Sequence, residues 1–148
     1  MADLIGWGAK LKYMSRSIDG RTHRLLREVT IAVVEELVYA TPVLTGRARS
    51  SWRTGIGRQR VGVPYKQPNK PPSPAAGAQR SIDEAHEAVK QRTIGGKSVF
   101  ISSNLSYMGD LDKGTSSQQP VGGFIGRAVM TGRSKIKEEM ANFWKADY

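Results

Sequence analysis

The sequence predicts an α+β fold: a small, mostly antiparallel sheet packed by a long N-terminal helix and a C-terminal helix, with a Pro-rich extended arm. Three observations carry this. Residues 20–40 repeat apolar side chains at helical spacing and end before a proline. Two short stretches, 50–57 and 97–104, read as strands and are flanked by glycine. Five of the seven prolines fall between Pro64 and Pro74, where neither a helix nor a central strand is expected.

Taken in order, residues 2–16 place Leu4, Trp7, Leu11 and Met14 at helical spacing. This predicts a short amphipathic helix or arm within residues 1–18, suited to docking on the core or on a neighbouring subunit. Residues 20–40 predict the main helix, with Leu25, Val29, Val33 and Leu37 four apart and Asp19 as N-cap. Its segment Val29–Val34 is apolar nearly all round, so packing on more than one side is expected, including across a subunit boundary. Pro42 disfavours helical geometry at Thr41 and stops the helix.

Beyond it, Thr45-Gly46 predicts a turn, and "SSWRTGIG" a strand with Trp52, Thr54 and Ile56 on one face. "RVGV", residues 60–63, reads as a second strand. Residues 64–78 predict an extended arm, and Pro64, Tyr65, Pro68, Pro71, Pro72 and Pro74 are its candidate inter-subunit contacts. Residues 79–92 predict a polar helix with Ser81 and Glu84 as a capping box. Gly95-Gly96 turns the chain into the strand at 97–104, with Val99 and Ile101 on one face. A short helix over 105–113 ends at Gly114. The final helix, 123–145, carries Ile125, Val129, Ile136, Met140, Phe143 and Trp144 in its stripe, and Gly132 marks a bend or a close approach.

One domain spanning residues 1–148 accommodates this length. Cysteine is absent, which excludes disulfides and thiolate metal sites. No apolar run reaches the ~18 residues of a membrane span. A net charge of +10 attracts polyanions and acidic protein surfaces. Arg47, Arg49, Arg53, Arg58 and Arg60 gather around the first strand, where Arg47, Arg49 and Arg53 share a parity. They are candidates to face a protein partner or DNA phosphates.

No catalytic motif is complete. "IGGKS" lacks the first glycine of a phosphate loop, because Gln91 stands there. "HEAVK" lacks the second histidine of a zinc site. Asp110 and Asp112 precede a glycine, but a calcium loop needs more oxygen ligands. The chain is therefore read as no enzyme, with no cofactor and no metal.

"TPVLTGRARSSW" resembles the signature TPVDTG followed by a basic, serine-tryptophan strand. "ISSNLSYMGDLDKGTSSQQPVGGF" is similar to a second signature: an Asn, a segment ending in Tyr, an acidic residue and Gly, then Pro and Gly-Phe. In this order the two resemble the neck and tail-completion proteins of tailed bacteriophages (minor tail protein Z-like), over roughly residues 20–145. The residues that carry the likeness are Thr41, Pro42, Thr45, Gly46, Trp52, Asn104, Tyr107, Asp112, Gly114, Pro120, Gly123 and Phe124. Leu44 departs from the usual Asp, Ser106 from a common Pro, and Asp112 from the usual Glu.

The resemblance implies a structural virion protein. Six or twelve copies would form a ring in the phage neck, between the head connector or head-completion protein and the tail-tube or tail-terminator protein. It would occupy the host cytoplasm during assembly and the virion afterwards, with basic residues able to meet genomic DNA non-specifically and no membrane contact. The alternative is a small basic nucleic-acid-binding protein.

Overall fold

A computed structural model describes residues 2–42, 46–64, 70–90, 97–114 and 123–145, with side chains from residue 8 onward and Trp144 excepted. Thr45, Tyr65, Pro68, the Gly95-Gly96 turn and Pro120 lie outside the described residues, as do the side chains of Leu4 and Trp7. The described elements are mostly helical, with one two-stranded antiparallel sheet packed by a long N-terminal helix and a C-terminal helix.

Helix α1 runs without interruption over Ala2–Ala40, 39 residues or about 58 Å at 1.5 Å per residue. The two expected N-terminal helices are one, and Asp19 is not a cap. Gly20 in a helix interior costs only about 1 kcal/mol against Ala, and no proline interrupts the stretch. The helix does end where Pro42 requires: Thr41 N donates to Leu37 O at 3.0 Å, the last such bond among the described residues.

Helix α2, Gly46–Ser50, occupies positions expected to turn and enter a strand. Strand β1 begins only at Trp52 and ends at Ile56. Arg47 and Arg49 therefore do not share a strand face with Arg53. Residues 60–63 form no strand. Strand β2, Val99–Ser103, pairs antiparallel with β1, Trp52 opposite Ser103 and Thr54 opposite Ile101.

Helix α3, Pro74–Lys90, starts five residues before the position expected for it. Ser73 is its N-cap, with Oγ accepting from Ala76 N at 3.2 Å, and Pro74 takes the first helical position, where a missing N–H costs nothing. The extended stretch thus ends at Ser73, and Pro74 belongs to a helix rather than an arm. Ser81 lies in mid-helix and caps nothing; it is buried.

Short helix α4, Met108–Asp112, ends in a turn at Gly114, φ +74°. Helix α5, Phe124–Lys145, runs antiparallel to α1. Gly132 faces Val33, and a Cβ there would sit 2.7 Å from Val33 Cγ2. This is the close approach that permits the α1–α5 crossing. Eleven residues further along α5, the Arg21 guanidinium lies 4.7 Å above the Phe143 ring.

The core gathers Val34, Leu37, Val38, Trp52, Ile82, Ala85, Met108 and Phe124. Helices α3 and α5 both pack on the C-terminal half of α1, burying Thr30 and Val34 and leaving Val29, Ile31, Ala32 and Val33 partly exposed. Residues 8–20 are different. They project past the end of α5 with every side chain but Ser17 exposed.

Candidate functional site

The first signature is a knot of backbone and hydroxyl contacts. Thr41 is 1 % exposed and its Oγ1 does two things: it donates to Leu37 O and accepts from Trp52 Nε1 at 2.9 Å. One hydroxyl thereby ties the end of α1 to the core face of β1. Arg49 lays its guanidinium over the same helix end, donating to Tyr39 O at 3.2 Å and Thr41 O at 3.4 Å. A cation at carbonyls left without intrahelical donors is favourable there. Ser51 Oγ donates to Ala48 O at 2.7 Å and meets Ser103 Oγ at 2.8 Å, joining α2 to β2.

Gly46 holds α2 against the start of α3. Its N–H donates to Pro72 O at 2.9 Å, and a Cβ there would overlap the carbonyls of Pro72 and Ser73. Gly77 is the reciprocal: its missing Cβ leaves room for Gly46 O. Pro71 and Pro72 are consequently half-buried within the chain.

Helix α3 also closes the outer edge of β1. Trp52 O accepts from Ser81 Oγ at 3.2 Å and from Arg80 Nη1 at 3.3 Å, and Thr54 N donates to Glu84 Oε1 at 3.2 Å. Side chains stand in for a third strand and leave this edge unavailable for pairing. Glu84 also receives Arg53 Nε at 3.0 Å, Arg60 Nη1 at 3.4 Å and Arg80. Its side chain is 11 % exposed. Sequence reasoning assigned Glu84 to a capping box; the Arg80–Glu84 spacing of four was the signal that could have found the pair.

The second signature is equally architectural. Asn104 Nδ2 donates to Arg60 O at 3.2 Å and Gly62 O at 3.3 Å, pinning the chain that leaves β1. Tyr107 O accepts from Asp110 N and Leu111 N, both at 3.1 Å. Asp112 Oδ1 accepts from Ile125 N at 2.9 Å, so a carboxylate from α4 caps α5. Gly123 enters α5 with φ +81°, and Phe124 is fully buried.

The five arginines divide. Arg49 and Arg53 serve the fold as described, and Arg47 lies half-buried on α2. Arg58 is exposed and makes no ion pair among the described residues; Arg60 is half exposed. Both border a groove of about 560 Å³ beside β1. A second cavity, about 360 Å³, lies where α5 ends against α1, between Leu25, Met140 and Phe143. On α5, hydrogen bonds donated by Lys135 Nζ to the Glu138 and Glu139 carboxylates raise its pKa above the ordinary value.

Among the described residues no group of three or more His, Asp or Glu is placed to hold a metal ion. No helix among them is long and apolar enough to cross a membrane. The fold and site define an α+β protein in which the described parts of residues 41–52 and 101–124 supply helix caps and tie down the two strands. Comparison with protein families, curated proteins and solved structures finds no match to this chain.

Proposed function

We propose that this chain is a structural subunit of a bacteriophage neck, closing side by side into a ring that joins the head connector to the tail. The proposal takes its identity from the two signatures and one observation supports its assembly: the projecting part of α1. Leu11, Met14 and Ile18 recur on one stripe and are 53 %, 51 % and 52 % exposed. Leu4 and Trp7 precede them at the same spacing.

Nothing in the chain's own described residues covers that stripe. A helix of residues 2–20, about 28 Å long, is marginal in water by itself and draws its stability from packing. A neighbour's surface supplies that packing. Such a contact is heterologous, and repeated by rotation it closes a ring. Six or twelve copies fit this reading, with the connector or head-completion protein on one face and the tail-tube or tail-terminator protein on the other. The working place is the virion, after assembly in the host cytoplasm, and the chemistry is shape and charge matching without turnover.

Negative-stain imaging and mass photometry test the proposal. The purified protein is expected to form closed rings. The triple variant Leu11→Glu, Met14→Glu, Ile18→Glu is expected to stay monomeric with unchanged folding. A wild-type protein that remains monomeric at every concentration, or a triple variant that assembles like it, refutes the reading.

The second reading, a small basic nucleic-acid-binding protein, draws on the +10 charge. It requires a monomer or dimer with a steep salt dependence of DNA affinity.

A further inference from the structure

We propose that the groove beside β1 is a phosphate site that takes the phosphodiester backbone of duplex nucleic acid. The inference is made for the single chain and does not rest on ring assembly.

The groove of about 560 Å³ is lined by Arg53, Thr54, Gly55, Arg58, Gln59 and Arg60, among others. Its basic wall is held in place by backbone. Gly57 turns the chain with φ +74°, and residues 58–60 fold back so closely that Arg58 O occupies the space of a Cβ on Gly55. Arg60 O is then held by Asn104 Nδ2 at 3.2 Å and by Ser102 Oγ at 3.4 Å. The guanidiniums therefore project from a fixed loop, which lowers the ordering cost of binding.

Charge at this place is unbalanced. Arg53 and Arg60 line the groove and share one carboxylate, Glu84, with Arg80. Of the nearby acids on α3, Glu87 pairs with Lys90 at 2.5 Å, whereas Asp83 accepts from the neutral Gln79 amide at 2.8 Å and keeps its charge. Arg58 adds a further exposed cation, and Lys97 lays its side chain beside Gly57. Arg53 and Arg80 are only 18 % and 25 % exposed, so water screens part of this excess poorly. An anion in the groove offsets it.

The chemistry of the wall selects the anion. Guanidinium forks match the oxygens of a phosphate bidentately. An open groove without a recognition helix contacts backbone and does not read bases. Trp52 offers no stacking face to a single strand, because it is buried with its indole N–H bonded to Thr41.

The full-length protein is titrated with a short fluorescent duplex over a series of salt concentrations, and separately with inorganic phosphate followed by NMR. R58Q is the primary variant, since the Arg58 side chain makes no hydrogen bond or ion pair among the described residues; R58Q/R60Q is the second, and K10Q/K12Q on the projecting helix is the control. R58Q is expected to weaken duplex binding and to lower the slope of log K against log salt by about 0.9, one phosphate contact. R58Q/R60Q should lower it by about twice that, with the control unchanged. Phosphate shifts in the wild type that vanish in R58Q/R60Q extend the site to the free ion; loss of duplex binding without phosphate shifts restricts it to the polymer. An unchanged slope in R58Q, or an equal loss in K10Q/K12Q, overturns the proposal.

Discussion

Thr41, Gly46 and Asp112 show how much single atoms do in this protein. The Thr41 hydroxyl is both donor and acceptor, and no apolar side chain of the same shape could satisfy the Trp52 indole. Gly46 is needed for what it lacks. Gly46→Ala pushes a methyl into the carbonyls of Pro72 and Ser73, which are backbone atoms fixed by the start of α3. A loss of about 2–3 kcal/mol is expected, read as a lower urea midpoint, with Gly77→Ala acting in the same direction. Asp112 caps α5 through Ile125 N. Asp112→Ala should cost about 1 kcal/mol, and Asp112→Asn, which keeps an acceptor, clearly less. Thermal melts by circular dichroism separate the two.

Elements hold together through side chains that reach between them. Strand β1 has β2 on one side and α3 on the other, and Glu84 is the main acceptor at that second edge. Glu84→Ala leaves Thr54 N without this acceptor and Arg53 and Arg80 without their shared counter-charge. About 3 kcal/mol of stability should be lost; Glu84→Gln, which can still accept from Thr54 N, should lose less. Denaturant titration of both variants checks the order, and an Ala variant as stable as the Gln variant would show the acceptor role to be unimportant. Helix α1 owes its stability to packing only over its C-terminal half, against α3 and α5. Residues 8–20 of the other half are exposed except for Ser17.

At the scale of the whole molecule, the proposed ring assembly predicts that this division separates folding from association. Leu11, Met14 and Ile18 are all about half exposed, on a segment that projects past α5. Their triple glutamate variant should therefore melt as the wild type does while failing to assemble. The charge is divided as well. Arg49 and Arg53 are consumed by the fold, whereas Arg58 and Arg60 border the open groove. Mutations at the first pair are expected to read out as stability, and at Arg58 as salt-dependent binding.

Local signals in the chain settled a good deal by themselves. The stop at Pro42, the burial of Trp52, the two strand segments and the span of α5 all follow from periodicity, a missing N–H or alternation, which act within a few residues. Only the tertiary structure decided that α2 is a helix, that α1 is continuous, and that Arg53, Arg60 and Arg80 converge on Glu84. A five-residue helix carries too little periodicity to read. The join between Glu84 and Arg53 spans 31 residues and that between Ser51 and Ser103 spans 52. Such contacts exist only once α3 has docked and β2 has paired, because it is the folded chain that brings the partners within hydrogen-bonding distance.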